Sequence, residues 1–152
     1  MDGIKYTSGD LVDHAGIAAV IRDAHGRVLV QDHIKYGFWT IPVGKAEHGQ
    51  SPQDALCQEV SEECDIVVEE FHESVRRLYH YVRDGKPVTM TLHLFVVDRW
   101  SGDVRNAEPH KHREICFMTL EEIRHLPYLS DATLLLLETL GYPRPAKIDG
   151  AL

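Results

Sequence analysis

Apolar runs separated by turn residues predict several strands in the first third of the chain. Residues 14–22 and 27–31 are two such runs, and segment 23–26 (DAHG) between them is typical of a tight turn. Residues 38–41 predict a third, shorter strand that ends before a proline, with Gly44 in the loop beyond it.

The segment 51–64 has the strongest helical pattern of the chain. Ser51 is suited to the N-cap, Pro52 to the first turn, and Asp54 to a capping box with Ser51. An apolar stripe repeats every four residues along this segment, at Leu56, Val60 and Cys64.

Two longer strands are predicted at about residues 73–82 and 88–98. The Asp84-Gly85 dipeptide between them is a strong signal for a β-hairpin. Residues 99–112 then form a long polar loop, and long loops in compact domains are often functional.

The C-terminal part predicts one more strand and two helices. The strand lies at residues 114–118, and Thr119 caps a short helix over 120–125. The last helix spans 131–140 and ends at Gly141, which a proline follows closely.

The order of these elements lacks a regular alternation of strands and helices. It predicts an α/β fold of the α+β type, in which a mixed sheet lies between helices. The length of 152 residues and the absence of a linker rich in Pro, Gly or Ser predict a single domain over residues 1–152.

Composition limits the classes of partner. The chain has 24 acidic and 16 basic residues and a net charge of −8, which argues against binding to bulk nucleic acid. A small anionic substrate is compatible with this charge, because a divalent cation can neutralise a local acidic cluster. Without a long apolar run or a secretory signal pattern at residues 1–5, we expect a cytoplasmic protein with no membrane partner.

Cysteines and histidines indicate no zinc site or disulfide framework. The three cysteines, Cys57, Cys64 and Cys116, are odd in number and form no CxxC pair, so reduced thiols are the better interpretation. His110 and His112 are the closest histidine pair of this chain, but they have no third ligand in view and favour a solvated loop.

The predicted helix 51–64 carries an acidic cluster with no basic residue beside it. Glu59, Glu62 and Glu63 fall within an arc of roughly 100° at the edge of the apolar stripe. Three like charges at this spacing cost helix stability. They indicate either a solvated acidic face or a site for a hard cation such as Mg²⁺, and the glycine-containing loop before the helix favours the cation site.

Segment 44–66 resembles the Nudix box of the Nudix hydrolase superfamily. The residues that match this pattern in register are Gly44, Glu59, Val60, Glu62, Glu63 and Ile66, and Pro42 and Lys45 fit its usual surroundings. Three positions depart from it: Gln50 stands in place of a Glu, Gln58 in place of an Arg, and Asp65 in place of a Gly.

The two glutamines replace what is an ion pair in the family. We predict that an amide–amide hydrogen bond between Gln50 and Gln58 takes its place, because losing one charged partner alone would leave a buried charge unpaired. Asp65 is the milder change, since Asp tolerates the left-handed conformation in which helices often end.

The resemblance implies a Mg²⁺-dependent pyrophosphohydrolase, for which Mn²⁺ can substitute. By resemblance, Glu59, Glu62 and Glu63 are catalytic metal ligands, and the carbonyl oxygen of Gly44 adds a further ligand. The substrate is a nucleoside diphosphate derivative. Nucleoside triphosphates are favoured because segment 97–108 resembles MutT-type enzymes, with nucleotide sugars and ADP-ribose close behind.

Further site residues are predicted with a plainer alternative for each. Glu108 in the long loop is a candidate metal ligand or general base, or else a solvated loop residue, with Glu114 a weaker candidate. Lys45 is suited to contact a phosphate oxygen as a point charge. Trp39, together with Phe38 and Tyr36, can stack on a base or belong to the core, and Asp131 can read a base edge or cap the last helix.

Two other functional classes are compatible with the same fold. A non-catalytic Nudix module would bind a nucleotide as a sensor, but it would not need all three glutamates. An isomerase of isopentenyl diphosphate would need a catalytic cysteine context that this sequence lacks. The sequence leaves the base, the leaving group and the choice between monomer and homodimer open.

Overall fold

The computed structural model describes residues 13–145, so residues 1–5, used above to argue against a secretory signal, lie outside the described part. The strands in this part are β1 (Asp13–Val20), β2 (Val28–His33), β3 (Phe38–Thr40), β4 (Val43–Lys45), β5 (Val67–Arg83), β6 (Lys86–Ser101) and β7 (His112–Met118). The helices are α1 (Pro52–Cys64), α2 (Leu120–Arg124) and α3 (Asp131–Leu140). No helix within residues 13–145 is long and apolar enough to cross a membrane.

The described strands form two sheets. The larger has the order β4-β1-β6-β5, with β1 parallel to β6 and the other neighbours antiparallel. The smaller has the order β3-β2-β7 and is antiparallel. The larger sheet is therefore mixed, as the irregular order of elements predicted.

Strand β1 separates two layers of core because successive side chains point to opposite faces. Ile17 and Ala19 pack with α1 in one cluster, while Ala18 and Val20 pack with α2 and α3 in the other. A mixed sheet between helices is thus confirmed, and α1 is held against the sheet by the apolar stripe that the sequence showed.

The helix ends agree with their sequence signals. The Ser51 hydroxyl accepts a hydrogen bond from the backbone N–H of Asp54 at 3.0 Å. Thr119 and Glu122 form a full capping box at α2, and Gly141 ends α3 with a φ of 76°. Asp65 ends α1 with a φ of 60°, which confirms the left-handed conformation predicted for it.

Several boundaries differ from the prediction. Gly44 lies in strand β4, paired with Ile17 of β1, and not in a loop. The hairpin turn at Asp84 and Gly85 is confirmed, with positive φ at both residues, but β5 begins at Val67. Strand β6 continues to Ser101, so the long loop covers only residues 102–111. The strand β4 was missed because its three residues gain strand geometry only by pairing with β1.

Candidate active site

Gly44 brings the backbone of β4 into contact with the acidic face of α1. A Cβ atom at this position would lie 2.3 Å from Cγ of Glu59 and 2.5 Å from its Cδ. A side chain would fit there only if Glu59 moved away, because real Cβ atoms do not approach other heavy atoms so closely. The glycine of the predicted motif is therefore required for the close approach of Glu59 to the strand.

Glu59 and Glu63 lie side by side, one turn apart on α1. Glu63 is only 6% exposed, and burial raises its pKa well above the ordinary value of 4.5. Burial also raises the pKa of Glu59, and the charge of Glu62 adds to this shift. The charge of Glu59 also raises the pKa of Glu63, so the pair is suited to share a proton or a cation.

Glu62 lies at the exposed edge of the same helix. Its Oε2 accepts a hydrogen bond of 3.0 Å from Nε2 of Gln58, one turn earlier. Glu62 does not line the cavity beside Glu59 and Glu63. The structure thus brings together two of the three predicted carboxylates, and it places the third on the adjoining surface.

The predicted amide–amide hydrogen bond between the two glutamines is present. Nε2 of Gln50 donates to Oε1 of Gln58 at 2.6 Å, and Oε1 of Gln50 accepts from the backbone N–H of Glu47 at 2.9 Å. Gln58 also donates to Glu62, so a series of hydrogen bonds through two neutral amides joins the loop before α1 to this acidic residue of the helix. We call this chain, Gln50–Gln58–Glu62, the amide brace.

Glu108 lies next to the carboxylate pair because its loop folds onto the end of α1. The backbone N–H groups of Arg105 and Ala107 donate to the carbonyl oxygens of Cys64 and Glu63. The negative charge of Glu108 raises the pKa of both Glu59 and Glu63. Its Oε2 is 3.5 Å from Nζ of Lys111, while its buried Oε1 has no hydrogen-bond partner in the described part of the chain.

Glu114, the weaker candidate, lies differently. It is exposed on β7 and lines neither of the two cavities that meet at Gly44. Glu108 is accordingly the loop acid that the fold brings to the carboxylate pair.

A cavity of about 310 Å³ opens beside Glu59 and Glu63, and we call it the carboxylate cavity. Its lining also includes the basic side chains Lys45, Arg83 and Lys111. A lining that contains both basic side chains and carboxylates suits an anionic ligand that is bound together with a metal ion. Lys45 lies in the lining of this cavity, and its contact with a phosphate stays a prediction.

A second cavity, of about 510 Å³, adjoins the first, and we call it the aromatic cavity. The residues that line both cavities are Tyr36, Val43, Gly44 and Tyr81. Phe38, Tyr79, Met90 and Leu92 extend the apolar lining of the aromatic cavity, and Asp131 contributes a carboxylate. A ligand that spans both cavities across Gly44 would have an apolar end and an anionic end.

The aromatic residues near β3 have different positions. Tyr36 and Phe38 line the aromatic cavity, whereas the ring of Trp39 packs against the core cluster beneath α3. The predicted stacking of Trp39 on a base finds no support in this position. Asp131 lies in the cavity lining at the first turn of α3, and Ser130, not Asp131, caps that helix.

Sequence reasoning overlooked several residues of the carboxylate cavity. His33 and His112 face each other across β2 and β7, with ring centroids 5.4 Å apart, and His112 is only 2% exposed. The interpretation of the segment around His112 as a solvated loop is therefore wrong for this residue, which begins strand β7.

Gln31, which lies outside the cavity lining but donates a hydrogen bond to Glu63, was also missed. A polar residue within the apolar run of β2 was a visible signal.

The residues at this site fit a hard cation, although no closed cage exists. Within residues 13–145, no three His, Cys, Asp or Glu side chains converge into a ready metal-binding group. Mg²⁺ often binds through only one or two carboxylates together with water and substrate phosphates. Glu59, Glu63 and the buried Oε1 of Glu108 would offer oxygen ligands of this kind.

Residues 12–137 match the family model of the NUDIX domain. The chain therefore belongs to the Nudix hydrolases, enzymes that act on phosphoric anhydrides and generally use a divalent metal ion. Within this family it is MutT-like. An 8-oxo-dGTP diphosphatase of Proteus vulgaris is 32% identical over 92 residues, which cover 57% of this chain and 78% of that protein.

Several solved structures share the fold. The MutT NUDIX hydrolase of Burkholderia pseudomallei superposes with a TM-score of 0.71 at 24% identity, covering 84% of this chain and 98% of the other. The E. coli ORF135 protein superposes with a TM-score of 0.69 at 25% identity, covering 93% and 98%. These similarities support the assignment of the mixed sheet between helices to this family.

Proposed function

We propose that this protein is a Mg²⁺-dependent pyrophosphohydrolase that cleaves nucleoside triphosphates. The observation that carries the proposal is the junction of two unlike cavities at Gly44. The carboxylate cavity, with its lysines, suits the phosphate chain, and the aromatic cavity suits the base. Nucleotide sugars and ADP-ribose are the alternative substrates, since they too combine a base with a diphosphate.

In this proposal Glu59, Glu62 and Glu63 bind the metal, with the carbonyl oxygen of Gly44 as a further ligand. The chemistry that Mg²⁺, or Mn²⁺ in its place, would supply there is polarisation of the diphosphate and activation of water. The raised pKa of Glu63 is consistent with this role, because a nearby cation stabilises the charged form that burial disfavours.

The other side chains position the substrate and handle its protons. Lys45 lines the carboxylate cavity and contacts a phosphate oxygen. Glu108 serves as a metal ligand or as the base that accepts a proton from the attacking water. Its place beside Glu59 and Glu63 supports either role, and its unpartnered oxygen leaves it an acceptor site.

The base is recognised in the aromatic cavity. Tyr36 and Phe38 supply faces on which a base stacks, and their ring centroids lie 5.3 Å apart. Asp131 accepts hydrogen bonds from N–H groups of a base edge. Trp39 contributes indirectly, by packing strand β3 against the core next to Phe38 in sequence.

A phosphate-release screen tests the proposal. Triphosphates, dinucleotides and nucleotide sugars are incubated with the protein and Mg²⁺, with 8-oxo-dGTP beside dGTP because of the Proteus vulgaris relative. We expect turnover of triphosphates to a nucleoside monophosphate and pyrophosphate, and no turnover with a chelator. No turnover of any substrate between neutral and alkaline pH would contradict the proposal.

The position of Glu62 favours a second candidate, a non-catalytic module that binds a nucleotide as a sensor. This carboxylate is bonded to Gln58 and lies outside the cavity lining. The Glu62→Gln variant separates the two candidates. Loss of turnover with retained nucleotide binding supports the hydrolase, whereas tight binding without turnover in the unmodified protein supports the sensor.

A further inference from the structure

Gln31 is a fully buried amide in the middle of strand β2. It is 0% exposed, and its neighbours Val30 and Leu29 are buried apolar residues. Burying an amide is costly unless its polar atoms find hydrogen-bond partners. The contacts of Gln31 therefore show what it does.

The partner of Gln31 is a carboxylate of the carboxylate cavity. Its Nε2 donates to Oε1 of Glu63 at 3.0 Å and lies 3.8 Å from Sγ of Cys64. This bond joins the two parts of the molecule, because β2 belongs to the smaller sheet while α1 packs on the larger one. The amide is held firmly, since β2 is the central strand, in register with β3 at Thr40 and β7 at Ile115.

The other end of the amide argues against a purely structural role. Oε1 of Gln31 is buried and has no hydrogen-bond partner among residues 13–145. An unsatisfied buried acceptor costs stability, and an apolar side chain of the same length would fill this position without that cost. The benefit of the amide must therefore lie in its donor and in the carboxylate that the donor holds.

We propose that Gln31 is a positioning residue that orients Glu63 for the divalent ion. Its N–H group holds one carboxylate oxygen on the side of the smaller sheet, so that Glu63 keeps a fixed orientation next to Glu59. Hydrogen bonds to ligand side chains strengthen metal sites, and losing one typically lowers metal affinity about 10- to 100-fold. The inference rests on the proposed function in one respect, namely that Glu63 is a metal ligand.

A Mn²⁺ titration of Gln31→Met tests the inference without any nucleotide. Methionine keeps the length of the side chain but removes the donor. We expect Mn²⁺ affinity, measured by calorimetry or by the spin resonance of free Mn²⁺, to fall about 10- to 100-fold. In steady-state assays at a fixed, limiting Mg²⁺ concentration, kcat should fall while KM for the nucleotide changes little.

Leu29→Val is the matched control. Leu29 is also 0% exposed and lies two residues earlier on the same face of β2, in the core cluster around α1. This variant should lower thermal stability while Mn²⁺ affinity stays at the unmodified value. Unchanged Mn²⁺ affinity in Gln31→Met, or an equal loss in Leu29→Val, would overturn the inference.

Should Gln31→Met fail to fold, the unmodified protein still provides a test. The side-chain amide resonances of Gln31 should shift when Mg²⁺ is added, and resonances that do not move would refute the role. The Mn²⁺ titration and the resonance measurement both omit nucleotide. A protein that binds Mn²⁺ in a Gln31-dependent way but hydrolyses nothing would disprove the proposed function alone.

Discussion

The two cavities that meet at Gly44 are built from opposite kinds of side chain. The carboxylate cavity places Glu59, Glu63, His33 and His112 where burial shifts their pKa values away from the charged form. The aromatic cavity is lined mainly by apolar side chains of β4, β5 and β6, with Asp131 at its edge.

This difference separates chemistry from recognition. Crowded, buried ionisable groups cost folding free energy, and proteins tolerate that cost where activity depends on it. Apolar side chains around a cavity carry no such cost. Variants in the carboxylate cavity should therefore change activity and stability in opposite directions. Variants in the aromatic cavity should change substrate preference alone.

The largest effect is expected for Glu63→Gln. Removing a metal ligand should lower kcat by about 100-fold or more, beyond the loss typical of residues that only support a ligand. Because burial raises the pKa of Glu63, the folded metal-free protein retains a proton that the unfolded chain releases above about pH 4.5. Its stability falls as pH rises through the raised pKa, and the neutral Gln avoids this loss.

The measurement is thermal unfolding at pH 8 with a chelator, next to an assay with Mg²⁺. Glu63→Gln should unfold at a higher temperature than the unmodified protein and hydrolyse far less. Glu121→Gln, on an exposed carboxylate of α2, is the control and should change neither quantity. A less stable Glu63→Gln protein would show that the contacts of the buried carboxylate already outweigh the free-energy cost of burying it.

Asp131→Asn should change the choice of base. The amide can donate a hydrogen bond where the carboxylate can only accept, and one well-formed contact to a base edge discriminates by about 1–3 kcal/mol. We expect the ratio of kcat/KM between purine and pyrimidine triphosphates to change, with little change in thermal stability. Glu138→Gln, on the same helix but outside the aromatic cavity, should keep the original ratio.

Variants of the amide brace should change turnover by an intermediate amount. Gln50→Glu alone places a carboxylate against Oε1 of Gln58 and should lower turnover several-fold. Adding Gln58→Arg restores a favourable pair, with a coupling of about 0.5–1 kcal/mol as expected for a partly exposed ion pair. In the reversed pair, Gln50→Arg with Gln58→Glu, the new carboxylate lies one turn from Glu62, and turnover should not recover.

The smallest effect is expected in the acid range. Burial, with the charges of His33 and Lys111, lowers the pKa of His112 to about 4. Between pH 6.5 and 4 the unfolded chain therefore binds a proton that the folded protein excludes, and stability falls as pH falls. His112→Gln should flatten the decrease of Tm over this range. The same substitution at exposed His110 should leave the slope unchanged.

Much of the helical structure and the acidic motif followed from local sequence signals. Ser51, Thr119 and Gly141 mark helix ends through hydrogen bonds and backbone conformations that involve only near neighbours. The amide brace was also predictable, because Gln50 and Gln58 both lie in the recognised motif. Strand β4 was not predictable in this way, since its three residues pair with β1 from a distant part of the chain.

The sequence by itself determined the position of the acidic helix, its caps and the residues of the family motif, because these depend on spacing along one segment. Only the tertiary structure decided which acids face a cavity, since Glu59 and Glu63 meet Gly44 and Gln31 through contacts between separate elements. It also decided that Tyr36 and Phe38 line the aromatic cavity while the partly buried Trp39 packs against the core. The physical reason is that burial is a property of the packed molecule, whereas helix periodicity and capping belong to the local chain.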